Sequence, residues 1–171
     1  PDGGMIVAGN SKSNDGDVTG HHGTTAFTDG WVVKLSASHE IQWQVSLGGS
    51  ADDQLSQLIH TTDGGYLCIG TTKSTDGDIT NNHGGPDVWL VRLSDSGAII
   101  WSKTYGGTRA DEGVSVIQLS GSPVKYVLSA TTASIDGDVH AADSSIDTNG
   151  WIVELDNDGN IIWETSIDQG G

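Results

Sequence analysis

The stretch DVWLVRLSDSGAIIWSKTYGG, residues 87–107, decides the fold. Trp89, Val91 and Leu93 alternate with Leu90 and Arg92, which is the two-residue period of a strand. The SDSG that follows supplies the Asp and Gly expected of a hairpin turn. Ile99 and Trp101 then alternate again, so a second strand returns antiparallel to the first and stops at Gly106-Gly107. The same text stands at 29–49 as DGWVVKLSASHEIQWQVSLGG and at 149–169 as NGWIVELDNDGNIIWETSIDQ. Trp31, Trp89 and Trp151 recur at intervals of 58 and 62 residues, and Trp43, Trp101 and Trp163 follow in step, each twelve residues later. A fixed period of this kind marks one supersecondary unit stacked on copies of itself.

Working outward, each unit adds two more strands. MIVAG, YLCIG and YVLSA precede the Trp strand and are apolar on both faces, as a strand inside a layered structure is. QLSQLIHT and GVSVIQLS follow the glycine corners LGGSADD and YGGTRADE. The sequence therefore predicts an all-β protein of three four-stranded antiparallel units, 1–62, 63–122 and 123–171, with eleven strands because the third unit lacks its last. Four antiparallel strands in a unit of about 60 residues is the pattern of a β-propeller blade, and three blades make a partial propeller. A repeated β-sandwich or β-solenoid is the alternative. Lys34, Arg92 and Glu154 share one position of the Trp strand, and their change of sign predicts a slot open to water. The chain starts inside a DGG motif, which predicts a segment of something longer.

Seven Lys and Arg against 23 Asp and Glu leave a net charge of −16. Nucleic acid and anionic membrane surfaces need basic patches, so neither is an expected partner. Twenty-five glycines with three prolines fit many short strands and tight turns. The single Cys68 sits in the apolar YLCIG run and reads as a core thiol. No apolar stretch is long enough to span a membrane.

The pattern DGGY, then DGD, then DxWxVKL, then GxIxW, then YGG resembles the tandem propeller-type repeats of secreted bacterial surface proteins, often found beside type IX secretion sorting domains. The resemblance covers essentially the whole chain, with 63–122 its cleanest copy; the third copy departs at SGSPVKY and at SIDQGG. It implies an extracellular or cell-surface repeat module, and implies no single catalytic activity.

The DGD loops are the candidate sites. The first offers Asp15, Asp17, His22 and Asp29; the second Asp76, Asp78, His83 and Asp87; the third Asp136, Asp138, Asp143 and Asn149. Two carboxylates on alternate residues of a glycine-turned loop, closed by an oxygen from the next strand, form a donor set suited to calcium, which takes six to eight hard oxygens. One His per loop is too little nitrogen for zinc. The competing reading is turn chemistry, since Asp-Gly is a favoured turn pair and Asp caps its own backbone. Both readings stand at this point. Asp52, Asp53, Asp111 and Glu112 share a corner and are expected to cap the next strand or face solvent. His21, His39, His60 and His140 share no position across the units and are expected at the surface or in local bonds.

No nucleophile elbow, zinc-protease helix, phosphate loop or dinucleotide fingerprint occurs. The expected function is a non-enzymatic module of a secreted or cell-surface protein, a calcium-stabilised scaffold or adhesin. Its expected partner is a protein or glycan at the cell surface, or other chains that complete the ring. A carbohydrate-binding propeller that uses its tryptophans, and a polysaccharide hydrolase or lyase, are the alternatives.

Overall fold

The computed structural model describes residues 3–140 and 148–167. Eleven strands form three antiparallel sheets, with no helix among the described residues. The first sheet has the order β1 (Met5–Ser11), β2 (Asp29–Leu35), β3 (Ile41–Leu47). The second runs β4 (Asp53–His60), β5 (Tyr66–Thr72), β6 (Asp87–Leu93), β7 (Ile99–Tyr105). The third runs β8 (Asp111–Gln118), β9 (Lys125–Thr132), β10 (Asn149–Asp156), β11 (Ile161–Ile167).

The sheets are offset from the sequence units by one strand. QLSQLIHT, read as the last strand of the first unit, is β4 and pairs with β5 of the second, from Asp53↔Thr72 to His60↔Tyr66. GVSVIQLS lies in β8 and pairs forward with β9 in the same way. The three-stranded sheet is consequently the first, not the third. The reason lies in the connections: the DGD loop at 12–28 and the hairpin turn at 36–40 keep β1, β2 and β3 in one sheet, whereas the Gly-Gly corner carries the chain across to the neighbouring sheet.

Sheet packing follows from side-chain alternation. On β5, Leu67 and Ile69 enter a core shared with Val116, Leu128 and Trp151 of the third sheet. Tyr66 and Cys68 point the other way, into a core with Val32 and Leu47 of the first. The middle sheet is thus buried on both faces, as the apolar YLCIG run requires. Cys68 is fully buried, and desolvation pushes its thiol up to about 12, the behaviour of a core residue.

One expectation is overturned at β6. Arg92 does not face water: it is 3% exposed and bonds the Tyr66 carbonyl at 3.0 Å, the Leu93 carbonyl at 2.5 Å and the Asp63 carboxylate. The middle unit has a neighbour on each side, so its slot is covered, and the guanidinium satisfies its donors locally. Glu154, at the same position of the last sheet, is half-buried and pairs with Lys125 at 2.6 Å.

The tryptophans divide by position. The indole N–H groups of Trp31, Trp89 and Trp151 donate across the hairpin to Gln44, Ser102 and Glu164, each at 2.8 Å. The second set meets the neighbouring sheet. Trp43 donates to the Asp95 carbonyl at 3.1 Å and lies against Gly97 of the next hairpin, while Trp101 lies against Gly159 of the one after. Trp163, third in that series, is 52% exposed.

Candidate functional site: the acidic corners between units

Each Gly-Gly corner docks onto the DGD loop of the following unit. At the first junction the Ser50 N–H donates to Asp76 at 2.7 Å, and the Gly48 N–H donates to Asp78 at 3.1 Å. The Asp78 N–H returns a bond to the Gly48 carbonyl at 2.8 Å. At the second junction Thr108 donates to Asp136 at 2.8 Å and Gly106 to Asp138 at 3.3 Å, with Asp138 N–H returning to Gly106 at 2.9 Å. The two junctions are the same object built twice.

Beneath each corner lies a buried carboxylate, Asp53 or Asp111, which the sequence reading expected to cap the next strand or face solvent. Asp53 is fully buried and accepts from Gly49 N–H at 2.7 Å, Ser74 Oγ at 2.7 Å and Thr72 Oγ1. Asp111 does the same with Gly107 N–H at 2.8 Å, Ser134 Oγ at 2.7 Å and Thr132 Oγ1. The neighbouring acids differ: Asp52 is partly buried and Glu112 is exposed. A Thr-x-Ser pair just ahead of the DGD, and an Asp five residues after the first glycine of the corner, were the available signals.

Close approach explains the glycines. Gly77 and Gly137 adopt φ of +67° and +66°, and a Cβ on them would meet the Gly49 Cα at 2.8 Å and the Gly107 Cα at 2.9 Å. Only glycine fits both demands. Ile79 and Val139, one residue past each triplet, are buried in the two cores, so the loop is anchored by an apolar side chain as well.

The expected donor sets are redistributed by the fold. Within a sequence unit, Asp76, Asp78 and Asp87 were grouped; in space, Asp78 belongs with Asp29 of the preceding unit. His22 spans them, its Nδ1 3.0 Å from Asp29 and its Nε2 3.7 Å from Asp78. His83 likewise spans Asp87 at 2.8 Å and Asp138 at 3.7 Å. Asp29, Asp87 and Asn149 are buried at equivalent strand starts, and in each the Oδ1 atom has no hydrogen-bond partner. Asp143 lies outside the described residues. Among the described residues, no group of three or more His, Cys, Asp or Glu side chains is arranged to hold a metal ion.

Electrostatics separate the two members of the triplet. Backbone and side-chain donors of Ser50 and Thr108 hold Asp76 and Asp136 below the usual carboxylate range. Burial pushes Asp78 and Asp87 above it, against the opposing pull of their hydrogen bonds from Gly48 and His83. Asp15 and Asp17 are exposed, and no side-chain hydrogen bond or ion pair is made by either among the described residues. The scattered histidines behave locally: His21 and His140 sit by the Thr24 and Asp138 carbonyls, and His60 packs edge-on to Tyr66. No protein-family model matches this chain, and no curated protein matches it.

Proposed function

We propose that the chain is a non-enzymatic structural and interaction module of propeller-like units, carried by a secreted or cell-surface protein. The observation that carries this reading is the use made of its acidic loops. Asp53, Asp76 and Asp78, and their counterparts Asp111, Asp136 and Asp138, are committed to hydrogen bonds that staple one unit to the next. Polar groups spent twice over on the same structural contact are unavailable as one catalytic constellation. The acidity suits an exposed, soluble scaffold. A panel of polysaccharides and glycosides tests the reading: turnover of any of them, abolished by substituting a corner aspartate that leaves the fold intact, would replace it with the hydrolase or lyase alternative.

A groove of about 850 Å³ between the first two sheets supports glycan binding as a second reading. Trp43, Tyr66, Gln42, His60 and Asp95 line it, an aromatic floor with polar rims of the kind that receives a sugar ring. Glycan-array binding lost on Trp43→Ala would support it, and an array without signal would remove it. Trp89 is fully buried and has no part in such a site. Calcium belongs, in this reading, to the first loop, whose Asp15 and Asp17 have no protein donors competing for their oxygens.

A further inference from the structure

We propose that the cleft at the second junction, between β7 and the turn joining β10 to β11, binds a small zwitterion of the α-amino acid class. The cleft encloses about 420 Å³ and is lined by Lys103, His83, Asp138, Asn160 and Tyr105 among others. Its walls come from the second and third units, and the first junction contains the same elements in the same order, so the two can be compared position by position.

The stapling bonds are the same at both junctions, but the cleft residues are not. Val45, Leu47 and Ala98 of the first junction are replaced by Lys103, Tyr105 and Asn160 at the second. Three apolar positions, two on one unit and one on the next, thus turn polar together at one place. Stapling does not require the change, because the first junction is stapled without it. The new groups are also held in position. Asn160 Nδ2 donates to Asp156 at 2.9 Å, which turns its Oδ1 to accept from Lys103 Nζ at 2.8 Å. Tyr105 is 4% exposed and its hydroxyl donates to the Gly159 carbonyl at 2.7 Å, closing the floor. One of the three donors of the Lys103 ammonium is used in this way, and two are left for a ligand.

The opposite wall supplies acceptors. The His83 Nδ1 lies 2.8 Å from the buried Asp87 carboxylate and donates to it, which fixes the ring and leaves the lone pair of Nε2 facing Asp138. Nε2 and the Asp138 carboxylate are 3.7 Å apart, too far for a hydrogen bond between them, so a group with two or more N–H donors placed beside both can bond each. A primary ammonium is such a group. The cleft therefore carries a cation on one wall and a carboxylate on the other, and Lys103 spends its bond on a neutral amide rather than on that carboxylate. Charge decides the ligand class. A simple anion meets Asp138 and a chain of net charge −16, and a simple cation meets Lys103. An uncharged sugar would desolvate both charges without a counter-charge for either. A zwitterion answers both, its ammonium at His83 and Asp138 and its carboxylate at Lys103.

The test is titration of the isotopically labelled protein with each of the free α-amino acids in turn, followed by residue-resolved amide NMR shifts. The expected result is saturable binding of at least one of them, with a dissociation constant of about 1 mM or below and shifts centred on residues 80–83, 102–105 and 159–161. The same compound without its ammonium, and the same compound with its carboxylate converted to an amide, should each bind about tenfold or more weakly. Lys103→Val with Asn160→Ala, which gives the second junction the residues of the first, should weaken binding by a similar factor while the thermal melt shows the fold intact. If that variant fails to fold, the two ligand analogues on the unaltered protein still decide the matter. No saturable shift at these residues with any amino acid overturns the proposal. Equal binding of either analogue also overturns it, and so does binding of a monosaccharide at this cleft in place of the amino acids.

Discussion

Asp53→Ala is the substitution from which most can be learned. It deletes three bonds to one fully buried carboxylate, from the Gly49 N–H, the Ser74 hydroxyl and the Thr72 hydroxyl, and leaves all three donors buried. A hydrogen bond to a charged group contributes about 1.5–3 kcal/mol, so the gross loss over the three is roughly 4.5–9 kcal/mol. Against this stands the relief of removing a buried charge near Asp29 and Asp78, on the order of 2–3 kcal/mol. The expected net cost is about 1.5–7 kcal/mol, a substantial part of the stability of an ordinary domain. Urea unfolding with an unchanged slope measures it. Asp111→Ala, in the duplicate site, should cost the same within about 1 kcal/mol, and Asp15→Ala should stay within about 0.5 kcal/mol because its carboxylate has no partner. A cost below about 1 kcal/mol for Asp53→Ala would refute the claim that the corners are held by their buried aspartates.

Acidification should first stabilise and then destabilise the protein. Asp78 and Asp87 have raised folded-state values, so their contribution is complete at acid pH and fades as pH rises through those values. Asp76 and Asp136 have lowered values, so theirs is complete above the ordinary carboxylate range and is lost as pH falls below it. Melting temperature should therefore peak at about pH 4–6, helped by reduced self-repulsion of the acidic chain; a maximum at or above pH 7 would contradict this. Trp89→Ala should cost about 3–5 kcal/mol by opening a core cavity, and Trp163→Ala, half-exposed, less than about 1 kcal/mol; thermal melts that rank them the other way would reverse the packing scheme. Millimolar calcium should raise the melting temperature and chelator lower it, with the response lost in Asp15→Asn with Asp17→Asn; superimposable melts would remove calcium from the reading.

Much of this architecture is local in origin and was legible for that reason. Strand alternation at 87–93 and 99–105, and the turn chemistry of SDSG between them, act over neighbouring residues, so period and composition expose them. The acidic corners were half legible. The DGD triplets announced themselves by repetition, whereas Asp53 and Asp111 looked like ordinary corner acids. What distinguishes them from Asp52 and Glu112 is burial against Ser74 and Ser134, side chains more than twenty residues away. Arg92 was misread for a related reason: a slot that changes from Lys to Arg to Glu looks solvated until a neighbouring sheet covers it.

The sequence by itself determined the repeat, the strands and the acidic loops, because each depends on the spacing of residues close together in the chain. The tertiary structure alone decided which residues work together. It moved β4 and β8 into the sheets that follow them, joined Asp29 to Asp78 and Asp87 to Asp138 across unit boundaries, and turned the DGD loops into sockets for glycine corners. The physical reason is that a carboxylate's role is set by which N–H and O–H groups lie within about 3 Å of it, and at Asp53, Asp76, Asp111 and Asp136 decisive donors come from a different unit from the carboxylate itself.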